Sequence, residues 1–174
     1  MSPPLVLVTG ASAGIGLATV RAFAAAGWRV LAGSRSPHEV NAATGVRAIG
    51  LDPCSADERR ALVELLARDY GGRLDCLVNN AGYAQSGPIE LLDEAAWREQ
   101  LAVNVMAPAL LAAALLPALR AAGGCVINLS SVLGRTGFAW QGAYCASKFA
   151  LEGWSEALML ETQGQGIRVH LIEP

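Results

Sequence analysis

Short apolar runs alternate with segments of helical periodicity along the whole chain, and this alternation restricts the fold more than any other feature. Residues 5–8 form an apolar run that ends at Thr9-Gly10, and residues 15–26 follow with helical spacing until Gly27 stops them. Runs at 28–32, 46–51, 74–78, 125–129 and 167–172 read as further strands. Residues 56–70, 92–120 and 143–163 read as helices, the middle stretch as one or two. Such alternation means right-handed βαβ crossovers and a parallel sheet. The expectation is an α/β fold of three layers, a doubly wound parallel sheet with helices on both faces. The strand order would be 3-2-1-4-5-6, with ligands at the carboxyl ends of strands 1 and 4.

Composition agrees with a sheet buried on both faces: 53% of residues are hydrophobic and 16% charged. A chain of 174 residues is expected to form a single domain, 1–174, and no linker, low-complexity segment or further repeat divides it. Thirteen basic and fifteen acidic residues give a net charge of −2, and no basic run exceeds Arg59-Arg60. Nothing there tracks phosphates, so nucleic acid is excluded as a partner. Cys54, Cys76, Cys125 and Cys145 lack CxxC spacing, and His38 and His170 are far apart, so neither a metal site nor a disulfide framework is expected. The start, Met1-Ser2-Pro3-Pro4, has no basic region ahead of its apolar run. The apolar stretch 103–119 contains Asn104, Pro108 and Pro117 and reads as too short for a membrane span. A soluble, cytoplasmic protein is expected.

The first strand passes into Thr9-Gly10-Ala11-Ser12-Ala13-Gly14-Ile15-Gly16 and then a helix. A strand–turn–helix of this kind presents backbone N–H groups and a helix dipole to a pyrophosphate, and glycines permit close approach. The spacing is GxxxGxG, and tight packing alone is the competing reason for the glycines. After strand 2 the chain reads Gly33-Ser34-Arg35-Ser36, with no acid to accept from the ribose hydroxyls of NAD. Arg35 fits a 2′-phosphate, which favours NADP(H) over NAD(H); a solvated surface arginine is the alternative. Asp52, just after strand 3, either accepts from an adenine amino group or is a loop acid or helix cap.

Tyr144 and Lys148 stand four residues apart within a helix, with Ser131 thirteen positions upstream of the tyrosine. Four residues turn about 400° and rise about 6 Å, so the phenol and ammonium share one face. A neighbouring cation stabilises a phenolate, which makes a tyrosine a usable acid and base near neutral pH. Taken alone, such a pair is as readily a core tyrosine with a lysine reaching water. Ser131 beside Ser130, and Asn80 beside Asn79, would serve equally as turn residues.

Five motifs in register resemble the short-chain dehydrogenase/reductase family: the turn from Thr9 to Gly16, Asn79-Asn80-Ala81-Gly82 after strand 4, Asn104, Ser131, and Tyr144-x-x-x-Lys148. The resemblance spans the chain and implies a Rossmann-type fold and hydride transfer between a nicotinamide cofactor and an alcohol or carbonyl. It implies that Tyr144 exchanges the proton, Ser131 steadies the substrate oxygen, Lys148 holds the nicotinamide ribose and acts on Tyr144, and Asn104 supports a water leading to the lysine. Gly10, Ser12, Gly14, Ile15, Asp52, Asn80, Ala81 and Gly82 would contact the cofactor, Ile15 and Ala81 on the resemblance alone. The helices carrying Asn104 and Tyr144 would form the interface of a homodimer or homotetramer.

The segment from Tyr144 to Gly153 is similar to the hydroxysteroid and retinol dehydrogenase branch. Leu133, Phe138, Trp140 and Gln141 would line an apolar substrate site, or else simply pack a loop. The sequence stops at Glu173-Pro174, where the resemblance implies a Pro-Gly motif followed by a substrate loop, further helices and a seventh strand. Strand 6 is then expected to be an exposed sheet edge. A catalytically incomplete nucleotide-binding and dimer-forming fragment is therefore the second expectation.

Overall fold

The computed structural model describes residues 2–37, 40 and 44–174; His38 lies outside them. Six strands form one parallel sheet: β1 (Leu5–Thr9), β2 (Arg29–Ser34), β3 (Val46–Gly50), β4 (Cys76–Asn79), β5 (Cys125–Leu129) and β6 (Arg168–Ile172). Their spatial order is β3-β2-β1-β4-β5-β6, as the alternation implies. The order reverses between β1 and β4, whose pairing sets Val6 against Cys76 and Val8 against Val78. The carboxyl ends of these two strands diverge there and open a crevice.

Period-two alternation divides the core into two layers. Leu5, Leu7, Leu31, Leu77 and Val126 pack with Leu62 and Leu66 of α2 (Ala56–Tyr70), with Leu111, Leu115 and Leu119 of α4 (Ala107–Ala122), and with Leu158 of α5 (Gly142–Glu161). Val6, Val8, Val30, Ala32, Cys76 and Val78 face the other way, against Val20 and Phe23 of α1 (Gly14–Ala25). Burial on both faces explains why these strands read as continuous apolar runs. The helix α2 has clear end signals: the Ser55 hydroxyl accepts from the Glu58 amide at 3.3 Å, and Gly71 closes the other end with φ 62°.

The stretch read as one or two helices is continuous. Helix α3 (Glu94–Leu101) runs through a π-turn, Ala102–Met106, into α4. Pro108 sits in the first turn of α4, directly after the π-turn, and Pro117 is accommodated inside that helix. Asn104 and Pro108 therefore do not cut the segment short: 94–122 is long and apolar enough to cross a membrane by length and composition. Its leucines at 111, 115 and 119 are fully buried against the sheet instead. The four cysteines are free thiols, and no group of three metal-ligating side chains occurs among the described residues.

Candidate functional site

The end of β1 is tied to the end of β4 by side chains that the glycines let through. The Thr9 hydroxyl donates to the Val78 carbonyl at 3.3 Å and accepts from the amides of Asn80 and Ala81, each at 3.0 Å. The Asn80 amide donates to the carbonyls of Thr9 and Gly10 at 2.9 and 3.1 Å. A Cβ on Gly10 would lie 2.9 Å from both Ala81 Cα and Asn80 Nδ2, and one on Gly16 would strike the Gly10 carbonyl. These two glycines serve close packing. Gly14 differs: its φ is 52° and a Cβ there would meet nothing within 4 Å, so its bare face looks into the cleft.

That cleft runs across the carboxyl ends of the strands in two continuous halves. The larger, a cavity of about 810 Å³, is bounded by Gly10, Ser12, Ser34, Arg35, Asp52 and Tyr83. The smaller, about 500 Å³, is bounded by Gly14, Ile15, Ser131, Tyr144, Lys148 and Pro174. Gly10, Ser12, Ala81, Gly82 and Tyr83 border both halves. In the larger half, the Ser36 amide donates to the Ser34 hydroxyl at 3.0 Å and turns exposed Arg35 out at the rim. Asp52 accepts from the Cys54 amide at 2.9 Å, while the helix-cap role weighed for it falls to Ser55.

In the smaller half, α5 and the end of β5 converge. Lys148 is buried, and its Nζ donates to the Leu129 carbonyl at 2.6 Å and lies 5.6 Å from the centroid of the Tyr144 ring. Burial pushes the Lys148 pKa down to about 8, with Glu152 acting in the opposite direction. Ser131 lines the same half; its hydroxyl accepts from the Leu133 amide at 3.2 Å. Asn104 is fully buried in the π-turn, where its side chain accepts from the Tyr83 amide at 3.1 Å and donates to the Tyr83 carbonyl at 2.9 Å. The side chain thus holds the loop after β4.

Leu133, Phe138 and Gln141 border neither half of the cleft. Phe138 and Trp140 are two-thirds exposed, and Trp140 has a φ of 62° with its carbonyl accepting from the Gly87 amide. Gln141 donates to the Ser86 hydroxyl at 2.8 Å, so this segment straps down the 86–88 loop.

Several polar residues that hold the site escaped the sequence reading. Gln100 is wholly buried, accepts from the Gln85 amide at 2.6 Å and donates to the Tyr83 carbonyl at 2.9 Å. A buried polar chain runs from Asn79 to Asn128 at 2.8 Å and on to Ser155 at 2.8 Å. An asparagine inside the apolar run of β5 was the available signal.

The sequence profile described as short chain dehydrogenase matches residues 4–174. The chain belongs to the short-chain dehydrogenase family. It is 39% identical over 175 residues to a 3-ketodihydrosphingosine reductase of Bacteroides thetaiotaomicron, covering 100% of this chain and 64% of that relative. It is 37% identical over 182 residues to human retinol dehydrogenase 5, covering 99% of this chain and 56% of that one. Its fold superposes on a metagenomic short-chain oxidoreductase in complex with NADP (TM-score 0.91, 36% identity, 100% and 83% covered). It also superposes on 4-hydroxyisoleucine dehydrogenase complexed with NADH (TM-score 0.89, 26% identity, 98% and 74% covered). This short-chain dehydrogenase thus spans about 64% of the first relative's length, and the nicotinamide cofactors of its neighbours are of both kinds.

Proposed function

We propose that this short-chain dehydrogenase is an NADP(H)-dependent oxidoreductase that interconverts a secondary alcohol and a ketone or aldehyde, acting as a single nucleotide-binding domain. One observation carries the reading: Ser131, Tyr144 and Lys148 border the half-cleft that continues into the Gly10–Gly16 turn. The residues present fit a dinucleotide. Bare Gly14 leaves room for phosphate, exposed Ile15 offers an apolar contact, and the buried Asn79 Oδ1 lacks a partner among the described residues.

When bound, a nicotinamide supplies or accepts the hydride. Tyr144 donates its phenolic proton to the carbonyl oxygen of the substrate, or removes it from the alcohol in the reverse direction. Ser131 hydrogen-bonds the same oxygen. Lys148, held at the Leu129 carbonyl, has donors left for ribose hydroxyls and places positive charge beside the phenol. Asn104 keeps Tyr83 and the 81–85 loop against the cleft. Arg35 at the rim pairs with a 2′-phosphate, the basis for preferring NADP(H).

Leu133, Phe138 and Gln141 are assigned to the substrate side as the wall outside the cleft, with Trp140 among them. The exposed apolar side chains Met106 and Leu110 on the 94–122 helix, and Phe149 and Leu160 on α5, suit a homodimer or homotetramer. The same surfaces support the second reading, a nucleotide-binding and dimerising unit without turnover. Oxidation of NADPH at 340 nm, with aromatic, steroid and retinoid carbonyls as substrates and cofactor fluorescence on the same sample, separates the two. Turnover lost in Tyr144→Phe with binding retained supports the oxidoreductase. Binding without turnover in the unaltered chain supports the second reading.

A further inference from the structure

Glu152 is a buried acid that borders neither half of the cleft. It lies one helical turn beyond Lys148 on α5, on the same face. Neither of its carboxylate oxygens has a hydrogen-bond donor among the described residues. Arg135 approaches to 3.1 Å from Oε2, an ion pair without hydrogen-bond alignment. The fold makes room for this acid: a Cβ on Gly134 would lie 3.1 Å from Glu152 Cγ and 2.8 Å from the Ser130 hydroxyl, itself buried without a partner among the described residues.

A charge so placed is costly unless compensated. Two cations bear on it: Arg135 at 3.1 Å, and Lys148 one turn away on the same helix face. Arg135, 53% exposed, is divided among three carboxylates, since it also meets Glu173 at 3.0 Å and Glu156 at 3.7 Å. Lys148 is buried, has the Leu129 carbonyl as its hydrogen-bond partner, and pairs with no carboxylate within 4.0 Å among the described residues.

We propose that Glu152 is a positioning residue for the lysine: its buried carboxylate is the counter-charge that keeps the Lys148 ammonium charged and seated at Leu129, and Arg135 competes for that carboxylate. The groups around Lys148 support it. Its own helix presents Tyr144 and Glu152, the end of β5 presents Ser130 and Ser131, the π-turn presents uncharged Asn104, and Glu173 after β6 is engaged with Arg135. Burial lowers the lysine pKa, and the charge acting against that is Glu152. The consequence for hydride transfer rests on the oxidoreductase reading; the electrostatic coupling does not.

Lys148 is the only lysine in the sequence, so ¹³Cε-lysine labelling yields one side-chain resonance to follow. Titrated without cofactor, the unaltered protein is expected to show a midpoint near 8. In Glu152→Gln the midpoint falls by roughly one pH unit, and in Arg135→Gln it rises, because the carboxylate is then left to the lysine. Glu152→Asp retains part of the effect. Loosening of the fold would move both glutamine variants the same way, so a shared direction, or an unmoved midpoint in Glu152→Gln, overturns the proposal. If Glu152→Gln does not fold, an unmoved midpoint in Arg135→Gln, changed at a half-exposed side chain, overturns it alone. Absence of turnover in the unaltered chain would sink the oxidoreductase reading and leave this titration standing.

Discussion

Asn104 donates to the hydroxyl of Ser147 at 3.1 Å, which in turn donates to the Tyr144 carbonyl at 2.7 Å. The π-turn is thereby joined to the helix that carries Tyr144 and Lys148, and the same amide also grips the loop after β4. One buried side chain of the π-turn therefore touches both walls of the cleft.

The Tyr83 carbonyl accepts from both Gln100 and Asn104, so either donor alone leaves it satisfied. Gln100→Ala and Asn104→Ala together leave it without either side-chain donor, and the double variant is expected to lose about 1 kcal/mol more than the sum of the single losses. Urea unfolding of the four proteins measures this. Additive losses would mean the carbonyl finds water when either side chain is removed.

Arg35 stands at the rim of the larger cavity, in the turn fixed by Ser34 and Ser36. Arg35→Asp removes the cation that suits a 2′-phosphate and supplies an acceptor for ribose hydroxyls. Cofactor preference is expected to move roughly a hundredfold toward NADH, about the worth of one charge-assisted hydrogen bond together with the repulsion that replaces it. The ratio of dissociation constants from cofactor fluorescence reads it. An unmoved ratio assigns the arginine to solvent.

Two glycines of the turn separate packing from ligand room. Gly16→Ala drives a methyl into the Gly10 carbonyl and within 2.5 Å of Asn80 Nδ2, and it is expected to cost about 3 kcal/mol of stability. Gly14→Ala meets no atom within 4 Å and suffers only its left-handed backbone, about 1 kcal/mol, yet its methyl projects into the cleft. Thermal unfolding is expected to distinguish the first variant, and loss of cofactor affinity with near-normal folding the second.

What the sequence shows well is what local patterning controls. The helix 56–70 and the strand 125–129 have the expected bounds because capping groups and apolar alternation decide them locally. The strand order follows from crossover handedness and the βαβ alternation. Four of the five motifs border one cleft because each sits at a strand end or on a helix packed beside one, and Asn104 is buried behind its wall. Gln100 and Ser155 were not legible, since a buried polar side chain is recognisable only once its partner on another element is known, and Asn128 offered no more than its place in an apolar run. The choice between one helix and two over 94–122 stayed open for a related reason: Pro108 falls where a helix tolerates it because the π-turn resets the preceding turn. Nor could periodicity place Phe138 and Trp140, which hang on loop hydrogen bonds.

Lys148 also makes a stability prediction whose sign depends on pH. Its pKa falls from 10.5 to about 8 on folding, so between those values the unfolded chain binds more protons and stability rises with pH. Below pH 8 the folded protein bears the whole penalty, a difference on the order of 3 kcal/mol. Methionine has no charge to desolvate, but Lys148→Met forfeits the bond to the Leu129 carbonyl and leaves the buried Glu152 carboxylate without this counter-charge. The variant is expected to lack the parent's rise, so that its stability relative to the parent falls by roughly 2 kcal/mol between pH 7 and pH 10, while its cofactor affinity and turnover fall. Urea unfolding at both pH values, beside cofactor titration, checks each half. Equal stability at both pH values would show that the lysine is solvated in the folded protein. Loss of that pH dependence together with loss of binding would place the cost of burying this ammonium at the site that needs it.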